Sequence, residues 1–317
     1  MRGALLFGLG ALLALSGCTN GRQESGELSE RTVRVVATTG MIADLARLVG
    51  GERVEVTALM GPGVDPHLYR ASEGDVGRLT HADVVFYNGL HLEGKMAEVL
   101  EQIEAQGIAA QAVADSIPRE RLITSALFQG NYDPHVWMDP VLWKGAAYAI
   151  AGRLMTLDPT HADGYRARLA ATLDSLDALD AWVRGRVAEI PAPQRVLVTA
   201  HDAFSYFGRS YGFEVRGLQG ISTAAEAGTA DVQALARFVA ERRIPAMFVE
   251  SSVPPRAIEA VRAAVRARGF EVRLGGTLYS DALGATGSGA DTYAGMIRAN
   301  VNTLVEALRP TETAAAR

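Results

Sequence analysis

Short β-branched runs alternate with amphipathic stretches along most of this chain. Residues 33–37, 54–59 and 84–87 read as strands, and residues 41–49 and 72–81 between them read as helices. A further helix over 140–155 completes a first lobe. Strand–helix–strand order of this kind predicts a largely parallel sheet with helices on both faces. Gly50-Gly51 sits where the first helix should stop, and Ser72 with Asp75 three residues later forms a capping-box pattern. The alternation restarts after Pro191, with strands at 195–200, 213–216, 246–250 and 270–274 and helices at 203–211, 231–243, 255–268 and 291–308.

Between the two halves lies the longest helical pattern. Asp158-Pro159-Thr160 opens it, with Asp158 placed to cap and Pro159 suited to a first turn. Tyr165, Leu169, Leu173, Leu176, Val183 and Val187 fall on one face, and no proline intervenes before Pro191. About thirty residues at 1.5 Å each give a rod on the order of 40 Å, long enough to run along both lobes and to resist large hinge motion. The expected architecture is therefore α/β: two lobes with parallel sheets flanked by helices, bridged by one long rigid helix. The expected boundaries are 32–157 for the first lobe, 158–190 for the connector, 191–310 for the second lobe and 311–317 for a frayed tail.

The N-terminus carries a different pattern. Met1-Arg2 precedes an apolar stretch from Ala4 to Leu15, which has the form of a secretory signal and is too short to span a bilayer. It ends in Leu15-Ser16-Gly17-Cys18, similar to the lipobox of bacterial lipoproteins, and Cys18 is the only cysteine in 317 residues. Residues 1–17 are expected to be removed and Cys18 to be lipidated. Residues 18–31, polar and without periodicity, then form a flexible tether to the extracytoplasmic face of the membrane, in the periplasmic space of a Gram-negative cell. The mature chain would have no disulfide, so its core and a bound ligand must stabilise it.

A chain with 48% apolar residues can bury a large core. A net charge of −5 without any basic stripe argues against a nucleic-acid partner. The residues with chemistry to offer are His67, His135, His201 and Asp281, two in each half and each just past an apolar run. His67 and His135 share an Asp-Pro-His triplet. In open α/β sheets ligands bind outside the carboxyl ends of the strands, and nitrogen and oxygen donors gathered there suit a divalent cation. The expected site lies in the cleft between the lobes.

Other residues fit plainer roles. His81 sits at a helix end, where a cation favours the dipole, and His161 reads as solvated in the first turn of the connector. His91 lies past a strand end, within possible reach of the cleft. Asp65 and Asp133 read as turn residues with a hydrogen bond to spare for a ligand imidazole. Tyr132, Trp137, Trp143, Phe204, Tyr206 and Phe207 read as packing around the cleft, and Glu226 and Glu250 as solvated or lobe-interface charges.

The segments GVDPHLY, NGLHLEGKM, YDPHVWMDP, TAHDAFSYFGRSYGFEVRGLQGIST, FVESSVPPRAIEAV and GGTLYSDALG resemble the zinc- and manganese-binding solute-binding lipoproteins of bacterial ABC transporters. The resemblance runs from about Val33 to Leu308. It implies one Zn²⁺ or Mn²⁺ per chain, held by His67, His135, His201 and Asp281, in a monomer that serves an ABC permease and its ATPase subunit. Many zinc-specific members carry a histidine-rich loop before the second ligand, whereas residues 123–132 here are short and contain no histidine. Many manganese members have glutamate at the third position, where this chain has His201. Both metals stay open on this reading. The function expected is metal capture and delivery; the alternatives are a secreted metal-dependent hydrolase and a surface adhesin that also binds metal. Four protein ligands and the lack of an H-E-x-x-H motif weigh against the hydrolase.

Overall fold

The computed structural model describes residues 28–310 except 126, 127 and 129. The expected signal segment, Cys18, most of the tether and the C-terminal tail lie outside the described residues. The first lobe is a four-stranded parallel sheet in the order β2 (Val54–Ala58), β1 (Val33–Ala37), β3 (Val84–Tyr87), β4 (Ala109–Ala112). Its helices are α1 (Gly40–Gly50), α2 (Glu73–Thr80), α3 (Ala97–Ala105) and α4 (Pro140–Leu157).

Neighbouring apolar residues on a strand divide between two cores, because both faces of the sheet are covered. Val33, Val35, Ala37, Val84 and Phe86 join the main core, while Val36 and Val85 pack with Leu79 of α2 and Leu100 of α3 on the outer face. This explains why β3 reads as an unbroken hydrophobic run, Val84-Val85-Phe86-Tyr87. Ser72 accepts from the Asp75 amide at 3.2 Å and donates its own amide to Asp75 at 2.8 Å, which completes the anticipated capping box. Asp139 caps α4 by accepting from the amides of Val141 at 2.8 Å and Leu142 at 3.2 Å.

The connector starts later than its sequence pattern suggests. A 3₁₀ turn covers Pro159–His161, and the helix proper is α5 (Ala162–Val187), 26 residues or about 39 Å. Asp158 makes no side-chain cap. Its buried carboxylate instead accepts from Arg53 at 3.0 Å and from the Tyr165 hydroxyl at 2.8 Å, and it contacts His161 Nδ1 at 2.8 Å. His161 is therefore paired as well as partly solvated.

The second lobe contains β5 (Val196–His201), β6 (Glu214–Gln219), β7 (Ala246–Glu250) and β8 (Arg273–Leu278). β5 pairs with β6 and β7 with β8, both parallel, and β5 lies beside β7. The spatial order thus repeats that of the first lobe, but the backbone ladder is split into two pairs. Helices α6 (Ser205–Tyr211), α7 (Thr229–Arg242), α8 (Arg256–Arg266) and α9 (Tyr293–Leu308) complete it. Leu197 and Phe248 of this lobe share one continuous core with Trp143 of α4, Tyr165 and Leu176 of α5, and Val301 of α9. The lobes are thus joined by packed side chains along the connector as well as by the chain itself.

Candidate metal centre

Each of the four predicted donors is delivered past the carboxyl end of a strand. His67 lies in the loop between β2 and α2, His135 in the loop between β4 and α4, His201 ends β5, and Asp281 follows β8 by three residues. The structure brings all four together, buried, with one donor atom of each within 4.8 Å of all the others. His67 Nε2 is 3.3 Å from His135 Nε2, and His201 Nε2 is 3.2 Å from an Asp281 oxygen. His135 Nε2 lies 3.5 Å and His67 Nε2 3.8 Å from Asp281 oxygens. A tetrahedron with metal–ligand bonds of about 2.0–2.1 Å has edges of roughly 3.3 Å, so the observed spacing suits a single ion.

Three of the polar atoms that converge here have no hydrogen-bond partner to satisfy them. His201 Nε2 and both Asp281 oxygens are buried without a hydrogen-bond partner. Buried polar atoms are rarely left so, because an unmade hydrogen bond leaves the cost of desolvation uncompensated. A divalent cation satisfies them all at once. The donor set fits such an ion on its chemistry as well as its spacing, since imidazole and carboxylate are ligands of borderline cations.

Two carboxylates behind the cluster orient the rings. Asp133 accepts from His135 Nδ1 at 2.7 Å and from the His135 amide at 2.9 Å, in line with its expected support of an imidazole. Glu250, which ends β7, accepts from the His201 amide at 2.8 Å. Its other oxygen lies 2.6 Å from His201 Nδ1, close enough for a strong charge contact though off the ideal hydrogen-bond line. Sequence reasoning placed Glu250 at the surface or the lobe interface, and the structure corrects this to a fully buried position behind a donor ring. The available signal was the one used for His201, a charged residue closing a wholly apolar strand. A carboxylate on the far nitrogen fixes the tautomer that leaves Nε2 facing the ion.

These contacts set the charge of the cluster. Burial pulls the His67 imidazole down to about 3, with the neighbouring His135 and His201 rings adding to it against Asp281, which favours the neutral ring. Burial also works to lower His201, but the Glu250 and Asp281 carboxylates outweigh it and hold the ring well above its ordinary value. Burial alone would raise Asp281, yet His201 and the other two rings bring it below the usual carboxylate range.

The other histidines stay outside the cluster. His81 contacts the Gly77 carbonyl at 2.7 Å at the end of α2. His91 is exposed at the mouth of a cleft of about 1050 Å³ that reaches His67. Glu226 is exposed and borders that cleft. Of the aromatic residues, Trp137, Trp143, Phe204, Tyr206 and Phe207 are buried, and the Trp137 ring lies edge-on to His135 at 5.2 Å.

Residues 35–307 match the family described as zinc-uptake complex component A periplasmic, ZnuA. The chain belongs to this family. It is 48% identical over 307 residues to the manganese-binding lipoprotein MntA of Bacillus subtilis, covering 96% of this chain and 98% of that protein. It is 46% identical over 298 residues to the zinc-binding protein TroA of Treponema pallidum, covering 94% and 96%. The solved structure of the T. pallidum periplasmic zinc-binding protein TroA superposes with a TM-score of 0.85 at 47% identity, covering 88% of this chain and all of that one. The ZnuA-family relatives thus include proteins named for zinc and for manganese at nearly equal similarity.

Proposed function

We propose that this protein is the solute-binding component of an ABC transporter, which captures one Zn²⁺ or Mn²⁺ outside the cytoplasmic membrane and delivers it to the permease and its ATPase subunit. The observation that carries the proposal is the buried set of His67, His135, His201 and Asp281, whose donor atoms converge from both lobes, with His201 Nε2 and both Asp281 oxygens unpartnered. Four protein donors close a tetrahedral shell and leave no open position for substrate, which favours capture over hydrolysis. Lipidation at Cys18 keeps the protein, a monomer, on the extracytoplasmic face, with the segment ahead of Leu28 as tether, because Arg53 and Asp83 already hold Leu28 and Arg31 on the first lobe. Among the described residues no helix is long and apolar enough to cross a membrane.

Affinity alone does not name the cargo, because zinc outcompetes manganese for nearly any nitrogen and oxygen site. Uptake of radiolabelled zinc and manganese by cells lacking the protein tests the role. Uptake of one of the two metals is expected to fall, to recover with the native chain, and to stay low when the complementing chain carries His67→Ala and His135→Ala. Unchanged uptake of both metals on deletion would contradict the proposal.

A further inference from the structure

The four donors are held very unequally. The loop that carries His135 is fastened on several sides: the Tyr206 hydroxyl donates to the Asp133 carbonyl at 2.8 Å, and Asn88 Nδ2 donates to the Pro134 carbonyl at 3.0 Å. Trp137 Nε1 donates to the Ser280 carbonyl at 2.8 Å, which ties the same loop to the residue before Asp281. His201 belongs to a strand and is fixed by Glu250. These hydrogen bonds tie the segments of these three donors to their surroundings, and one of them crosses between the lobes.

His67 is different. Its loop between β2 and α2 has no regular structure, and Gly61, Pro62, Gly63 and Leu68 are exposed. The His67 amide donates to Asp65 Oδ1 at 2.9 Å, and Asp65 Oδ2 accepts from the Thr223 hydroxyl at 2.6 Å. Outside the donor cluster itself, this is the one side-chain hydrogen bond among the described residues that joins the loop to the second lobe. Ser222 and Ala224 on either side of Thr223 line the large cleft, and of the four donors only His67 does so. The way out for the ion therefore passes His67, and the bond that keeps His67 in place comes from across that way.

We propose that Thr223 is a positioning residue for His67: its hydroxyl latches the first donor's loop to the second lobe and slows departure of the ion through the cleft. The inference rests on the metal reading above. A hydroxyl bonded to a carboxylate is stronger than a neutral pair, and its loss from a nearly buried site leaves the carboxylate oxygen unsatisfied in the closed state. That penalty falls on the closed state alone, so it appears in release.

The test uses the full chain loaded with one equivalent of Zn²⁺, mixed rapidly with excess chelator, for the native protein, Thr223→Val and Thr223→Ser. Valine keeps the shape and removes the donor. Release is expected to accelerate on the order of tenfold in Thr223→Val and to stay close to native in Thr223→Ser. The visible spectrum of the Co²⁺-loaded Thr223→Val protein is expected to match native, since all four donors remain. Native-like release from Thr223→Val would overturn the latch, as would equal acceleration in both variants, which would make packing the cause, or a changed Co²⁺ spectrum, which would make Thr223 a determinant of the shell itself. Failure of the native chain to bind zinc would instead remove the metal reading, so the two failures are distinguishable.

Discussion

At the scale of single residues, the site depends as much on what stands behind the donors as on the donors themselves. His201 is gripped by Glu250 at both its amide and its far ring nitrogen. Replacing Glu250 by glutamine keeps the volume but removes the charge that orients and polarises the ring. Loss of such a partner typically costs about 10–100-fold in metal affinity, and a fall of that size is expected for Glu250→Gln in a chelator competition with Zn²⁺. Glu226→Gln, at an exposed position bordering the same cleft, serves as the control and is expected to leave affinity unchanged. Unaltered affinity in Glu250→Gln would mean that the carboxylate supports only the fold. Asp133 was legible from the sequence because Asp-Pro-His places the acid two residues before its own histidine. Glu250 was not, because 49 residues separate it from His201 and only the lateral contact of β5 with β7 brings them together.

At the scale of elements, the strands and helices that deliver the donors follow from hydrophobic periodicity, and the failures have local causes. β4 is Ala-Ala-Gln-Ala, without a β-branched or aromatic residue to mark it, and it is held in the sheet by pairing with β3. α3, which precedes it, was missed with it. β8 begins and ends later than its apolar pattern suggests, and it carries Gly275 and Gly276 in its interior, where the apolar pattern breaks off. A Cβ at Gly275 would lie 2.5 Å from the Phe248 ring, so the strand needs glycine where it runs beside Phe248 of β7. The entry to the first sheet offers an electrostatic test. Arg31 donates to Asp83 at 2.6 and 2.8 Å, and the Arg34 amide donates to it at 2.7 Å, which fastens the start of β1 to the start of β3. Burial would raise the Asp83 carboxyl, but these partners bring it down to about 2. Because the folded value lies below the ordinary one, the stabilisation is fully present above about pH 4 and is lost as the pH falls towards 2. With allowance for partial exposure of the arginines, Asp83→Asn is expected to cost about 1–2 kcal/mol at pH 7. Denaturant unfolding should show the difference from native shrinking between pH 4 and pH 2. A difference independent of pH would assign the loss to packing.

At the scale of the whole molecule, two similar α/β halves face each other across a packed connector, and each contributes two of the four donors. The repeated strand order puts the carboxyl ends of both halves towards one cleft, which is why sequence positions 67, 135, 201 and 281 become neighbours. That convergence was legible only in outline, since apolar runs show where strands end but not how the halves face. The shared core along α5 limits how far they can separate, and under the proposed function exchange of an ion would fall to loops at the cleft, above all the loop of His67. Diffraction at the zinc absorption edge from crystals of the zinc-loaded chain tests the four-donor centre most directly. One anomalous peak is expected, about 2.0–2.2 Å from Nε2 of His67, His135 and His201 and from an oxygen of Asp281. Zinc located away from these atoms, or bound by fewer than three of them, would contradict the centre.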